Sequence, residues 1–173
     1  MGITVDNTLS WKQHIDTITP KLNKACYTIR RSKSYLSHVA LKMVYYALFL
    51  SVMSYGLIFW GKSTNSKCVF ILQKRAVRII IGTRNNVSSR EVFKLLKILP
   101  LSAQHIYSLL MFVVNRHLYL TAELYTIKTR NSFNLHPPLP RLTKYQKGVY
   151  YARIRVFNHL PTSIKIFYFV FPT

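Results

Sequence analysis

The sequence predicts a mainly α protein, a bundle of helices followed by a short β/irregular C-terminal extension. Three observations carry that expectation. Apolar residues recur at three- and four-residue steps through most of the first 120 positions, the spacing of one helix face. Ser and Gly residues punctuate these runs where helix caps belong. The texture then changes after Tyr125, where prolines and β-forming residues replace the helical pattern.

In chain order, Met1–Asp6 reads as a short strand entering a turn, because Ile3 and Val5 alternate with Thr4 and Asp6. Ser10 and Gln13 have capping-box spacing, so a helix is expected from near Trp11. Its apolar stripe is Trp11, Ile15, Ile18, Leu22, Cys26 and Ile29, while Lys12, Lys21, Lys24 and Arg31 fall largely off it. Pro20 lies inside the pattern and is expected to kink or split the helix. Ser37 can cap a second helix running through Ala40 towards Trp60. The stretch from Met43 to Trp60 holds no charge, which raises a single transmembrane span. Tyr45, Tyr46, Ser51, Ser54, Tyr55 and Gly56 make it only moderately apolar, and a buried central helix gives the same signal.

After a polar break at Gly61–Ser66, a two-faced helix is expected over Lys67–Ile81, with Gly82 as its C-cap. Ser88 or Ser89 caps a short helix to Leu96, ended by Pro100. Ser102 caps another to about Tyr119, with Ile106, Leu109, Leu110, Val113 and Leu118 facing inward. Pro137, Pro138, Pro140 and clustered basic residues make 126–144 a linker or arm. The run YQKGVYYARIRVF at 145–157 alternates roughly and is rich in β-formers, which predicts one or two strands ending in a turn at 158–161. The closing IKIFYFVFPT is an apolar, aggregation-prone run. The division is therefore a helical domain at 1–125, a linker at 126–144 and a short β-rich segment at 145–173.

Charge narrows the partners. The chain carries 25 Lys plus Arg against four acids, a formal +21 in 173 residues. Such an excess repels itself in a compact state unless a polyanion is near. Twelve basic residues lie in 1–82 and thirteen in 83–173, so the charge is spread over folded elements and not held in a tail. Lys67, Lys74, Arg75 and Arg78 are spaced seven, one and three apart and share a helix side. Lys21, Lys24, Arg30 and Arg31 form a second group. With twelve Tyr and ten Phe interleaved, these cations suit phosphates and unpaired bases of RNA or DNA, without sequence readout.

No catalytic set emerges. Asp6, Asp16, Glu91 and Glu123 are too scattered to converge on divalent ions. Asp6 suits a turn, and Asp16 and Glu91 suit helix starts, where the dipole favours an anion. The six histidines lack zinc-ligand spacing, and there is no G-x-S-x-G elbow, P-loop or dinucleotide fingerprint. Cys26 and Cys68 stand alone, as reduced structural cysteines in an intracellular protein would. The N-terminus lacks signal-peptide and myristoylation patterns. The expectation is a chain that is not an enzyme, holds no metal or cofactor, is not secreted and resides in the nucleus or cytoplasm.

Ordered motifs add a family. Gly2-Ile3-Thr4-Val5-Asp6, Leu9-Ser10-Trp11 and His14-Ile15 resemble a segment just after the catalytic palm in reverse transcriptases of non-LTR (LINE-type, jockey-like) retrotransposons. Tyr55-Gly56 with Trp60-Gly61 is similar to the "YG-x-x-x-WG" that follows there. Leu72-Gln73-Lys74-Arg75-Ala76-Val77-Arg78-Ile79-Ile80 resembles the family's "LQ-(K/R)-(R/K)-A-(L/V)-R-I-I" helix. Leu96–Leu101, Thr129-Arg130-Asn131, Tyr145–Tyr151 and Phe157-Asn158-His159-Leu160-Pro161 complete the order. The resemblance implies a thumb-like helical domain that packs on the template–primer duplex, plus a C-terminal extension. It also implies that fingers, palm aspartates and endonuclease are absent, as if translation started inside a longer element. An intact polymerase is then a partner, and the Met43–Trp60 stretch belongs to a soluble helical region. The aromatic tail departs from the family, which continues with charged helix at that point. A membrane protein spanning at 43–60 and a genomic relic without selected function are the alternatives.

Overall fold

The structure is a computed structural model that describes residues 2–83, 87–114, 121, 132–137 and 148–165. It is mainly helical, and no strand occurs among the described residues. Two compact units divide the chain, Met1–His105 and Ile106–Thr173.

In the first unit, residues 2–6 form no strand, which corrects the alternation-based expectation: two apolar residues without a neighbouring strand have nothing to pair with. Asp6 instead organises a turn. Its carboxylate accepts from Ser10 N at 2.8 Å, from Thr8 Oγ1 at 3.1 Å and from the Ser10 hydroxyl. These bonds, the Ser10 hydroxyl foremost, hold the Asp6 carboxyl below its ordinary pKa. With Ser10 turned towards Asp6, the capping box with Gln13 does not form, and Trp11 enters helix α1 (Lys12–Ser32) in a left-handed conformation.

Helix α1 runs unbroken through Pro20, against the expected split. Pro20 is exposed, so its ring faces solvent and the carbonyl it leaves unbonded at Asp16 can be hydrated. The opposite face buries Ile15, Ile18, Leu22, Cys26 and Ile29, the stripe read from the sequence. That face packs on helix α5 (Ser66–Ile81), which presents Val69, Ala76, Val77 and Ile80. Each fully buried aliphatic side chain contributes roughly 1.5–3 kcal/mol, enough to hold α1 against α5 despite the self-repelling charge.

Between them runs the uncharged stretch, and it is not one helix. It takes in the end of α2 (His38–Val44), a π-helical segment (Tyr45–Leu50), α3 (Ser51–Ser54) and α4 (Leu57–Trp60). Ser37 caps α2 as expected, accepting from Ala40 N at 3.3 Å. Leu41, Tyr45, Phe49, Met53 and Leu57 are all buried, a strict four-residue step. At 3.6 residues per turn that step drifts by about 40° each time, and the wider π turn takes back part of the drift. Tyr55 leaves helical geometry and Gly56 adopts a left-handed φ of 62°. Ile3 closes over Gly56, where a Cβ would meet its Cδ1 at 2.8 Å. No single helix among the described residues is long and apolar enough to cross a membrane.

Helix α6 (Ser89–Leu96) ends at Leu96 as expected, but it is Lys97, with a φ of 53°, that closes it, Ile98 N donating to Phe93 O at 3.1 Å. Helix α7 (Leu101–Val114) starts without the expected Ser102 cap. The buried Gln73 of α5 takes that role, accepting from Leu101 N at 2.8 Å and donating to Leu99 O and the Tyr45 hydroxyl, both at 3.0 Å. Burial of the Tyr45 hydroxyl pushes its pKa up to about 12.

In the second unit, Leu109 and Val113 are buried as read, but Ile106 is 45% exposed and faces solvent. Leu118 and most of the proposed linker 126–144 lie outside the described residues. Strands were expected at 145–157; instead Val149–Asn158 is helix α8. Arg153, Ile154 and Phe157 are its buried positions, spaced one and three apart, so helical burial overrides β propensity. Asn158 then clasps Leu135, accepting from its N–H at 2.8 Å and donating to its carbonyl at 3.0 Å. Lys165 Nζ donates to Asn134 Oδ1 at 2.8 Å and to Asn158 O at 2.6 Å.

Candidate nucleic-acid interface

The α1–α5 packing brings distant cations together. The stripe that buries Cys26 and Ile29 leaves Arg30 and Lys33 exposed at the end of α1. On α5, burial of Gln73, Ala76, Val77 and Ile80 turns Lys74, Arg75 and Arg78 towards the same side. These five line one groove of about 830 Å³, whose remaining lining is Ile71, Ile79, Gly82 and Thr83. No carboxylate lines it among the described residues.

Local geometry fixes the walls. Gly82 caps α5 as predicted, with a φ of 83° and its N–H donating to Arg78 O at 2.8 Å. A side chain at Gly82 would run into Lys33 Nζ, so the glycine lets the lysine cross the helix end. Arg78 Nη2 donates to Val87 O at 3.3 Å, while its Nε and the Thr83 hydroxyl are buried without a partner among the described residues. Both α1 and α5 end here, and each C-terminus brings about half a negative charge. That offsets about one of the five positive charges, and a strongly positive groove remains. Its field reaches the interface behind it: burial pushes the Cys26 thiol pKa up, and Arg75 and Arg30 pull against that rise.

Of the residues read as phosphate contacts, Lys74, Arg75 and Arg78 share the groove with Arg30. Lys67 is exposed near the start of α5, two turns away, and does not line it. Lys21, Lys24 and Arg31 are exposed on α1 outside the groove. Lys33 was not singled out from the sequence; its place three residues after Arg30, on the same helix side, was the available signal.

The family-like motifs now have physical roles. Tyr55-Gly56 is the helix break, with Tyr55 O accepting from Trp60 Nε1 at 3.1 Å. Gly61 is a close approach, where a Cβ would meet His105 Nδ1 at 2.5 Å and Leu57 O at 2.7 Å. His14 is buried against the Trp60 ring with neither ring nitrogen partnered among the described residues, and burial, then Lys21, lowers its pKa. No family model, curated protein or solved structure matches the chain.

Proposed function

We propose that the groove between α1 and α5 grips the sugar–phosphate backbone of nucleic acid without reading its sequence, as the template–primer-binding thumb of a reverse transcriptase would. One observation carries this reading: Arg30, Lys33, Lys74, Arg75 and Arg78 converge on a single groove that no carboxylate lines among the described residues. Five cations held by two packed helices are pre-organised for phosphates, and each neutralised phosphate releases condensed counterions. Arginine suits the role because its planar guanidinium meets phosphate oxygens bidentately. The ordered resemblance to non-LTR retrotransposon reverse transcriptases supports the same assignment, and the chain contributes binding in this reading, not chemistry.

The test compares two double charge reversals of equal size. Arg30→Glu with Arg75→Glu alters the groove, and Lys21→Glu with Lys24→Glu alters α1 outside it. Fluorescence anisotropy on a labelled RNA–DNA duplex should show the first pair weakening binding by about 100-fold or more and the second by less than about ten-fold. Equal losses, or no duplex binding by the unaltered chain at low salt, overturn the assignment.

A further inference from the structure

Lys74 belongs to two grooves. On α5 it also borders a second one, of about 810 Å³, formed with α6 and the 97–102 segment. The two differ in chemistry. The floor of the second is apolar: Phe70 and Phe93 stack with centroids 6.2 Å apart and planes within 13°, and Ile98, Leu99 and Pro100 extend the surface. Leu99 is 47% exposed and Phe70 is half-buried, so these two meet solvent, while Phe93 at 6% exposure belongs to the core and backs the Phe70 ring. The rim is cationic, with Lys74, Arg90, Lys94 and Lys97, and Glu91 on the same helix is not part of the lining.

An apolar floor under a cationic rim fits a ligand with a flat apolar body and negative charge beside it. An unpaired nucleotide has both, whereas a base inside a duplex is hidden in its stack. The volume falls within the range of small-ligand sites. Lys74 Nζ sits 4.3 Å from the Phe70 ring centroid, a weak cation–π cover. The shared lysine therefore joins a phosphate track to an aromatic floor along one path.

We infer that the second groove receives unpaired bases of the strand whose phosphates occupy the first, so that the preferred substrate is a junction of duplex and single strand. This rests on the phosphate-binding reading of the first groove. An acidic peptide carrying an aromatic side chain also satisfies the local chemistry of the second groove, but nothing would then tie it to the first.

The experiment measures anisotropy of the full chain with a blunt duplex and with the same duplex bearing a single-stranded overhang that contains 2-aminopurine. The overhang should bind on the order of ten-fold more tightly, with 2-aminopurine fluorescence quenched on binding. Phe70→Leu should remove most of the preference and the quenching while blunt-duplex affinity stays within about two-fold. If circular dichroism shows that variant unfolded, Lys94→Gln with Lys97→Asn tests the rim instead and should shrink the preference by several-fold; asparagine tolerates the left-handed backbone at Lys97. Equal affinity for both substrates overturns this inference and leaves the first-groove reading standing. Failure to bind either substrate overturns both. Tighter capture of a peptide alternating glutamate and phenylalanine than of the overhang also overturns it, in favour of a protein partner.

Discussion

At the scale of single residues, the polar groups that matter most for folding are not those proposed to bind. Gln73 lies in the motif beside Lys74 and Arg75, yet it is fully buried and spends both ends of its amide on Tyr45, Leu99 and Leu101. Gln73→Leu strands the Leu101 N–H and the Tyr45 hydroxyl, and urea unfolding should show a loss of about 3 kcal/mol. Arg75→Gln, two residues on and exposed, should change stability by less than about 0.5 kcal/mol. His14 sets a pH window. Its folded pKa is below the ordinary 6.5, as is that of His105, where burial outweighs the bond to Leu57 O. A depressed pKa gives stability that is complete above 6.5 and lost as pH falls below it, because the unfolded chain takes the proton first. Denaturation midpoints should therefore drop between pH 7 and pH 5, and His14→Leu should flatten that drop; an unchanged slope would place the effect elsewhere. The groove itself was legible only in part. Residue type and spacing gave Lys74, Arg75 and Arg78, but joining them to Arg30, 45 positions before Arg75, needed the packing of two helices.

At the scale of elements, apolar periodicity read well wherever one face of a helix is buried. The α1 stripe, the α5 span, the Ser37 cap and the Gly82 cap all follow from local pattern. The errors share a cause, tertiary contacts that local pattern does not contain. Tyr150, Tyr151, Val156 and Phe157 vote for strand by residue type, while Arg153 is buried, donating to Phe112 O at 3.3 Å with its guanidinium 4.7 Å and 4.4 Å from the Phe112 and Tyr150 rings. That anchoring requires the helical spacing of α8. The end of α6 at Leu96 was placed correctly, but the stop is made by Lys97, a residue with no turn preference that holds the left-handed cap position, and not by Pro100. Lysine is strained there, so Lys97→Gly should raise stability by about 0.5–1 kcal/mol in thermal or urea unfolding. Gly61→Ala should do the reverse, losing about 1–3 kcal/mol, since the new methyl meets the Leu57 backbone and the His105 ring. A neutral result there would mean that α4 and His105 move apart freely.

At the scale of the whole molecule, the question is whether +21 acts as a diffuse field or through one place. The two cases predict different salt dependence. For duplex nucleic acid, log K falls against log salt with a slope of about −0.9 per neutralised phosphate. Five groove cations, one phosphate each, give a slope of about −4.5, whereas a field spread over all the basic residues gives a much steeper one. Removing charge locates the origin. Arg30→Gln with Arg75→Gln should flatten the slope by about 1.8, two phosphates' worth. Lys12→Gln with Lys62→Gln removes the same charge from exposed positions outside the groove and should flatten it by less than about 0.5. Self-repulsion makes a second readout independent of affinity. A compact chain with this charge is destabilised by its own field, so added duplex should raise the melting temperature by mass action as well as by neutralisation. Inorganic phosphate at matched ionic strength supplies screening without a continuous backbone. If the groove acts as a track, the duplex should raise the melting temperature well beyond phosphate, and the Arg30→Gln, Arg75→Gln pair should lose most of that excess. If phosphate alone matches the duplex, the charge is a field and not a site, and binding has no address on α1 and α5.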